Sequence, residues 1–109
     1  MNFEEYQKIS RKTVIYPDAG NNFVYPVLGL TGEAGEVAEK IKRILRDEKG
    51  IASEERKQDI AKELGDVLWY LSQIATELDL SLDEIASSNI EKLSSRKERG
   101  KLSGDKENR

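Results

Sequence analysis

Between Val27 and Leu45, and again between Ile60 and Leu78, apolar side chains return every three or four residues. That period belongs to a helix with one apolar face; a strand alternates with a period of two. The first stripe is Val27, Leu30, Ala34, Val37, Ala38, Ile41, Ile44 and Leu45. The second is Ile60, Ala61, Leu64, Val67, Leu68, Leu71, Ile74, Ala75 and Leu78. The polar stretch 47–52, with Gly50 in it, is short enough to make these two helices antiparallel neighbours. No strand pattern appears anywhere along the chain, so the expected fold class is all-α and four-helix bundle-like.

Two more helices flank this pair. Asn2 followed by Glu5 has the form of a capping box, and Phe3, Tyr6, Ile9 and Thr13 keep helical spacing, which predicts a helix over about residues 3–14. The next segment, 16–22, is turn chemistry throughout. The second helix is expected to begin near Asn22, with Pro26 tolerated in its first turn. Ser53 is placed to cap the third helix, and Ser81 with Glu84 opens a fourth through Leu82, Ile85, Ala86, Ile90 and Leu93. Gly100 fits a C-terminal cap. Residues 1–100 therefore read as one helical domain. Residues 101–109 read as a polar basic tail, without periodicity, that is flexible or ordered by a ligand.

Absent residue types exclude much chemistry. The 109 residues contain no cysteine and no histidine. There is thus no disulfide framework, no Cys or His zinc site, no thiol nucleophile and no His base. Residues 1–90 hold 11 Lys/Arg against 17 Asp/Glu, whereas residues 91–109 hold 7 against 4. An acidic body with a basic end argues against a nucleic-acid binder, whose basic patch would dominate. The N-terminus has neither the basic start nor the apolar run of a signal peptide, and the longest charge-free apolar stretch, 23–32, is too short to span a bilayer. A cytoplasmic protein without a membrane partner is expected.

The carboxylates are the strongest chemical signal. Glu33-Ala34-Gly35-Glu36-Val37 and Glu63-Leu64-Gly65-Asp66-Val67 repeat one pattern thirty residues apart. Each puts two acids at i and i+3, adjacent on a helix and beside its apolar stripe. If the stripes pack together, Glu33, Glu36, Glu63 and Asp66 converge. Like charges ~4 Å apart repel by about 4 kcal/mol at an effective dielectric of roughly 20. A divalent cation removes that cost, and hard oxygen ligands suit Mg²⁺, which shares its coordination with substrate phosphates. One Glu-x-x-Glu alone is an ordinary solvated face. The recurrence, and a mid-helix glycine inside each pair at about 1 kcal/mol relative to Ala, ask for more than that. A di-iron bundle would need Glu-x-x-His, which this chain lacks.

Asn89, Lys92, Arg96 and Arg99 fall on one face of the fourth helix, where they can donate to phosphate oxygens or simply complement the helix dipole.

The segments 29–40 (Gly-Leu-Thr-Gly-Glu-Ala-Gly-Glu-Val-Ala-Glu-Lys) and 62–71 (Lys-Glu-Leu-Gly-Asp-Val-Leu-Trp-Tyr-Leu) resemble the MazG-type all-α nucleoside triphosphate pyrophosphohydrolases. That family carries Glu-x-x-Glu, a spacer, then Glu-x-x-Asp. Asn89-Ile90-Glu91-Lys92-Leu93 with Arg96, and Arg99-Gly100 followed by Ser103-Gly104-Asp105, resemble its phosphate-side segments. The arginine of the family's terminal Gly-Asp-x-Arg is displaced here to Arg109. The resemblance implies Mg²⁺ held by Glu33, Glu36, Glu63 and Asp66, with Mn²⁺ as a substitute. It also implies cleavage between the α- and β-phosphates, with Asn89, Lys92 and Arg96 near the triphosphate. Nucleotide-pool housekeeping and a homodimer or dimer of dimers complete the expectation.

Candidates for the base pocket are Tyr16, Asn22, Tyr25 and Trp69, each equally able to serve packing. Leu28 and Trp69 lie off the main stripes, and a chain of this size buries such residues by association. Two other functions compete: a non-catalytic helical interaction module, and a nucleotide-binding regulator without turnover. The acidic quartet argues against both, since neither needs a self-repelling cluster.

Overall fold

The computed structural model describes residues 1–100. The expected tail, with the resemblance at Ser103, Gly104 and Asp105 and the displaced Arg109, lies outside the described residues. Among the described residues the chain has four helices and no strand: α1 Phe3–Arg11, α2 Val24–Asp47, α3 Glu54–Glu77 and α4 Leu82–Glu98. None of them is long and apolar enough to cross a membrane.

Local chemistry explains most of the boundaries. Asn2 Oδ1 accepts from the Glu5 N–H at 2.8 Å, and Ser53 Oγ and Ser81 Oγ accept from Arg56 N and Glu84 N at 3.1 Å each. These are the three caps the sequence announces, each satisfying an otherwise orphaned donor. At the end of α4, Gly100 takes φ +67°, the left-handed geometry a C-terminal glycine adopts freely.

Two boundaries differ from expectation. α1 stops at Arg11 rather than near Val14, because the chain tightens: Thr13 N and Val14 N bond to Ser10 O and Arg11 O, three residues back. The β-branched run from Thr13 to Ile15 favours leaving the helix there. α2 begins at Val24, although Asn22 still caps it by accepting from Tyr25 N at 3.0 Å. Pro26 falls in the first turn, where its missing N–H has no intrahelical partner to lose, and it is buried.

α2 and α3 form an antiparallel hairpin. Gly29 faces Tyr70, Glu33 faces Glu63, Lys40 reaches Glu63 and Glu48 pairs with Arg56. On α2 the row turned toward α3 is Leu30, Val37 and Ile44, interleaved with half-buried Glu33 and Lys40. This corrects the expected stripe: Val27, Ala34, Ala38, Ile41 and Leu45 are exposed. On α3, Ala61, Leu64, Leu71 and Leu78 are exposed too, while Ser72, Gln73 and Ala75 are buried. Both helices carry two apolar rows, and the hairpin covers one on each.

α1 docks on α3 largely through polar groups. Ser10 Oγ and Ser72 Oγ lie 3.0 Å apart, Gln73 Nε2 donates to Ser10 Oγ at 3.0 Å, and Gln7 Nε2 donates to Thr76 Oγ1 at 3.0 Å. Gln7 also ties down the start of α4, donating to Leu80 O and accepting from Leu82 N. Every one of these polar atoms has a partner, as burial demands. The apolar core of one chain is correspondingly thin: Tyr16, Ile44, Ala75 and Leu82 are its buried hydrophobics. The radius of gyration is 16.9 Å, against about 13 Å for a compact domain of 100 residues. The four helices are the ones expected, but a single chain does not wrap them around one closed core.

Candidate metal centre

Glu33 of α2 and Glu63 and Asp66 of α3 each offer a carboxylate oxygen, and the three oxygens lie within 4.8 Å of one another. The i, i+3 pair on α3 supplies two of them from a single turn, and the antiparallel hairpin brings up the third. Glu33 and Glu63 are half-buried in the helix seam, and Asp66 is exposed at its rim. Glu36, one turn on from Glu33, is exposed and stands outside the three-oxygen group, though its charge reaches Glu33. Three of the four expected ligands are therefore together, with the fourth beside them.

The cluster is electrostatically frustrated. A hydrogen bond with Glu63, then burial, then the charges of Asp66, Glu63 and Glu36 push the Glu33 carboxyl up to about 7. Like charges gathered this closely favour the protonated form of Glu33 to higher pH than usual. Lys40, two turns after Glu33, offers partial relief at 4.0 Å from Glu63 Oε1. Two phenols border the same spot. Burial raises Tyr6 of α1, and Asp66 raises it further. Burial raises Tyr70, followed by Tyr25, Glu33 and Asp66. An all-oxygen set with no nitrogen or sulfur ligand fits a hard divalent cation of the Mg²⁺ or Mn²⁺ kind.

Beside the acids stands an aromatic wall. Tyr16 stacks on Tyr25 at 4.9 Å between centroids, Trp69 meets Tyr16 edge-on at 6.4 Å, and Tyr70 meets Trp69 edge-on at 5.0 Å. Tyr16, Tyr25 and Trp69 are thus gathered as one group, with Tyr70 linking them to the acids. Most of their polar atoms are committed inside the chain. The Tyr16 hydroxyl donates to Glu77 Oε2 at 2.6 Å, and Trp69 Nε1 donates to Thr13 Oγ1 at 2.8 Å. Asn22 donates through Nδ2 to Pro17 O while its Oδ1 caps α2. Tyr16 is buried, whereas Tyr25 remains 43% exposed. Within this group Tyr25 offers the open ring face.

The anchor of this wall is Glu77, which sequence reasoning missed. Its side chain is fully enclosed. It accepts from Tyr16 OH, Arg11 NH2, Gly20 N and Asn22 N. Burial alone would raise its carboxyl, but those hydrogen bonds together hold it at about 2. Glu77 thereby fastens the 16–22 loop to the end of α3. Lys40 and Tyr70 were missed as well. Lys40 lies seven residues after Glu33 on the same helix face, which was the available signal; Tyr70 reads in the sequence only as another apolar position.

The α4 candidates lie elsewhere. Asn89 and Lys92 are exposed and line a surface cleft of about 450 Å³ with Ser81, Glu84 and Ser88, and this cleft shares no residue with the carboxylate cluster. Arg96 is buried in the same helix, although helical spacing places it on one face with Asn89 and Lys92.

The antiparallel helical hairpin thus gathers one carboxylate from the Glu33 turn and two from the Glu63–Asp66 turn within 4.8 Å. The family described as the MazG nucleotide pyrophosphohydrolase domain matches residues 26–100, and the chain belongs to it. The chain is also 44% identical, over 114 residues and the whole of both chains, to the "Gene 37 protein" of Mycobacterium phage L5, a name that states no activity. No solved structure matches at a significant level.

Proposed function

We propose that the chain is a Mg²⁺-dependent nucleoside triphosphate pyrophosphohydrolase that converts a (deoxy)nucleoside triphosphate and water to the monophosphate and pyrophosphate. The observation that carries this is the convergence of Glu33, Glu63 and Asp66 within 4.8 Å in a chain of the MazG nucleotide pyrophosphohydrolase domain family. When bound, the cation neutralises phosphate charge and makes a bound water more acidic. Glu33, Glu63 and Asp66 would hold it, with Glu36 one turn further along α2 adding negative charge beside them. Lys40 balances Glu63. Asn89 and Lys92 carry donors suited to phosphate oxygens, but within one chain they line a cleft apart from the carboxylates and Arg96 is buried. Lys40 is therefore the cation that stands beside the cluster. Tyr25, backed by Tyr16 and Trp69 and with Asn22 at its helix start, is the surface suited to the base.

In the reaction, water adds to the α-phosphorus, the bond to the α–β bridging oxygen breaks and pyrophosphate departs. The proton of the water passes to a site carboxylate. Positioning and charge neutralisation suffice, without a covalent intermediate. The chain acts as a homodimer or homotetramer, which its thin core favours, in housekeeping of the nucleotide pool.

The test is a panel of ribo- and deoxynucleoside triphosphates incubated in EDTA, Mg²⁺ or Mn²⁺, with products separated by ion-exchange chromatography. Monophosphate and pyrophosphate, formed only with metal, are expected. A diphosphate as the first product, or turnover in EDTA, would overturn the proposal.

A further inference from the structure

One face of α2 carries a succession of chemistries in chain order. Tyr25, Gly29, Glu33, Glu36 and Lys40 stand four, four, three and four residues apart, the spacing that keeps side chains on a single helical face. The open Tyr25 ring lies at one end and Lys40 at the other. Glu33 sits about 12 Å along the axis from Tyr25, and Lys40 about 10 Å beyond Glu33. Helical side chains lean toward the N-terminus, so the Lys40 ammonium is carried back toward the acids. It reaches Glu63 Oε1 at 4.0 Å across the α2–α3 seam.

That contact is unlike others on the same helix. Lys42 and Arg46 pair with Glu39 and Asp47 at 2.9 and 2.8 Å, and each of these cations is 62% exposed. Lys40 is only 24% exposed, yet its pair is longer than a charge-assisted hydrogen bond of about 2.7–2.9 Å. An ammonium withdrawn from water loses hydration, and one loose contact returns little of it. Glu63 meanwhile bonds to Glu33 and belongs to the three-oxygen group. Lys40 thus leans on a carboxylate that a divalent cation would also claim. With Glu63 so engaged, the ammonium keeps its donors for another anion beside the acids.

We propose that Lys40 is the leaving-group cation of the site. With the base at Tyr25 and the α-phosphate at the acids, the β- and γ-phosphates extend toward Lys40, which turns from Glu63 to them. As the bond from the α-phosphorus to the bridging oxygen breaks, its electron pair stays on that oxygen and the pyrophosphate gains a negative charge. The Lys40 ammonium donates a hydrogen bond to the pyrophosphate and keeps its own proton, while the proton of the attacking water goes to a site carboxylate. A positioned donor acts most strongly where charge develops. This assignment rests on the pyrophosphohydrolase reading and adds the direction in which the substrate lies along α2.

The test is isothermal titration calorimetry on the parent, Lys40→Gln and Lys40→Arg, each first checked for folding by circular dichroism. Mg²⁺ is titrated alone, then pyrophosphate or a nucleoside monophosphate at saturating Mg²⁺. Lys40→Gln should bind Mg²⁺ alone more tightly, because a competing cation has left Glu63. It should bind pyrophosphate roughly tenfold or more weakly, the effect of losing one charge-assisted hydrogen bond, with monophosphate affinity unchanged. Lys40→Arg should restore pyrophosphate affinity. In turnover by Lys40→Gln, kcat should fall more than KM rises, since the contact strengthens as the bond breaks. Pyrophosphate affinity equal to the parent's would overturn the leaving-group role. Pyrophosphate and monophosphate weakened alike would overturn the direction of the substrate, and weaker Mg²⁺ binding would overturn the exchange at Glu63. If Lys40→Gln does not fold, Lys40→Met, which keeps the apolar stem, takes its place; failure of both to fold would make Lys40 structural and overturn the assignment. A parent whose pyrophosphate affinity depends on Lys40, but whose first product is a diphosphate, would overturn the site of cleavage and leave the anion contact standing.

Discussion

Gly29 and Gly32 lie one turn apart in α2, and alanine should act on them in opposite directions. In an open helix interior, Gly→Ala gains about 1 kcal/mol through lost unfolded-state freedom and better propensity. Gly32 is such a site, since a Cβ there meets nothing within 4 Å. A Cβ at Gly29 would instead run into the Tyr70 ring, 2.6 Å from Cδ1. Overpacking of that kind costs about 1–3 kcal/mol. Gly32→Ala should then be stabilised by about 1 kcal/mol, and Gly29→Ala should lie between neutral and about 2 kcal/mol destabilised. For a chain near 100 residues, 1 kcal/mol moves Tm by roughly 4–8 °C. The assay is thermal denaturation by circular dichroism at one fixed protein concentration, because association shifts Tm. Tyr70→Ala should abolish the difference between the two alanine variants, the signature of direct coupling. If Gly29→Ala melts as high as Gly32→Ala in the Tyr70 parent, the ring does not rest on Gly29. The link between the aromatic wall and the carboxylates would fall with it.

Two further outcomes concern protons and charge. The folded Glu33 carboxyl is raised from 4.5 to about 7, so its contribution is present below pH ~4.5 and lost as pH rises through ~7. Metal-free protein should lose stability over that window in urea titrations, Mg²⁺ should reverse the loss, and Glu33→Gln should flatten it; a parental profile that is already flat would refute the raised carboxyl. Glu77 runs the other way: held at about 2, it contributes above pH ~4.5, and that contribution fades as pH falls toward 2. Removing one partner of a buried pair costs 3–5 kcal/mol, and Arg11 is 26% exposed, so about 2–3 kcal/mol is expected for Glu77→Ala. Its near-ultraviolet aromatic signal should collapse, and an unchanged spectrum would show that the 16–22 loop holds itself.

Much of this molecule was readable one helix at a time. Periodicity and capping residues act within a few positions, so the four helices, the caps at Asn2, Ser53 and Ser81, and the glycine end at Gly100 follow from local geometry. The pairing of Glu33 with Glu36, and of Glu63 with Asp66, is likewise a property of one helical turn. Which of two apolar rows faces the neighbour is not local. Val27, Ala34 and Ile41 fit a buried stripe as well as Leu30, Val37 and Ile44 do, and only the docking of α3 chooses between them. The same docking brings Glu33 to Glu63 and Asp66 and leaves Glu36 outside their group. Glu77 depended on folding most of all. Its partners Arg11, Tyr16, Gly20 and Asn22 lie 55 to 66 residues away in the chain, and a glutamate at a helix end reads locally as solvated. Short-range chemistry determined the elements and the acid pairs; burial, which depends on what lies across the interface, decided which of them became core, site and open face.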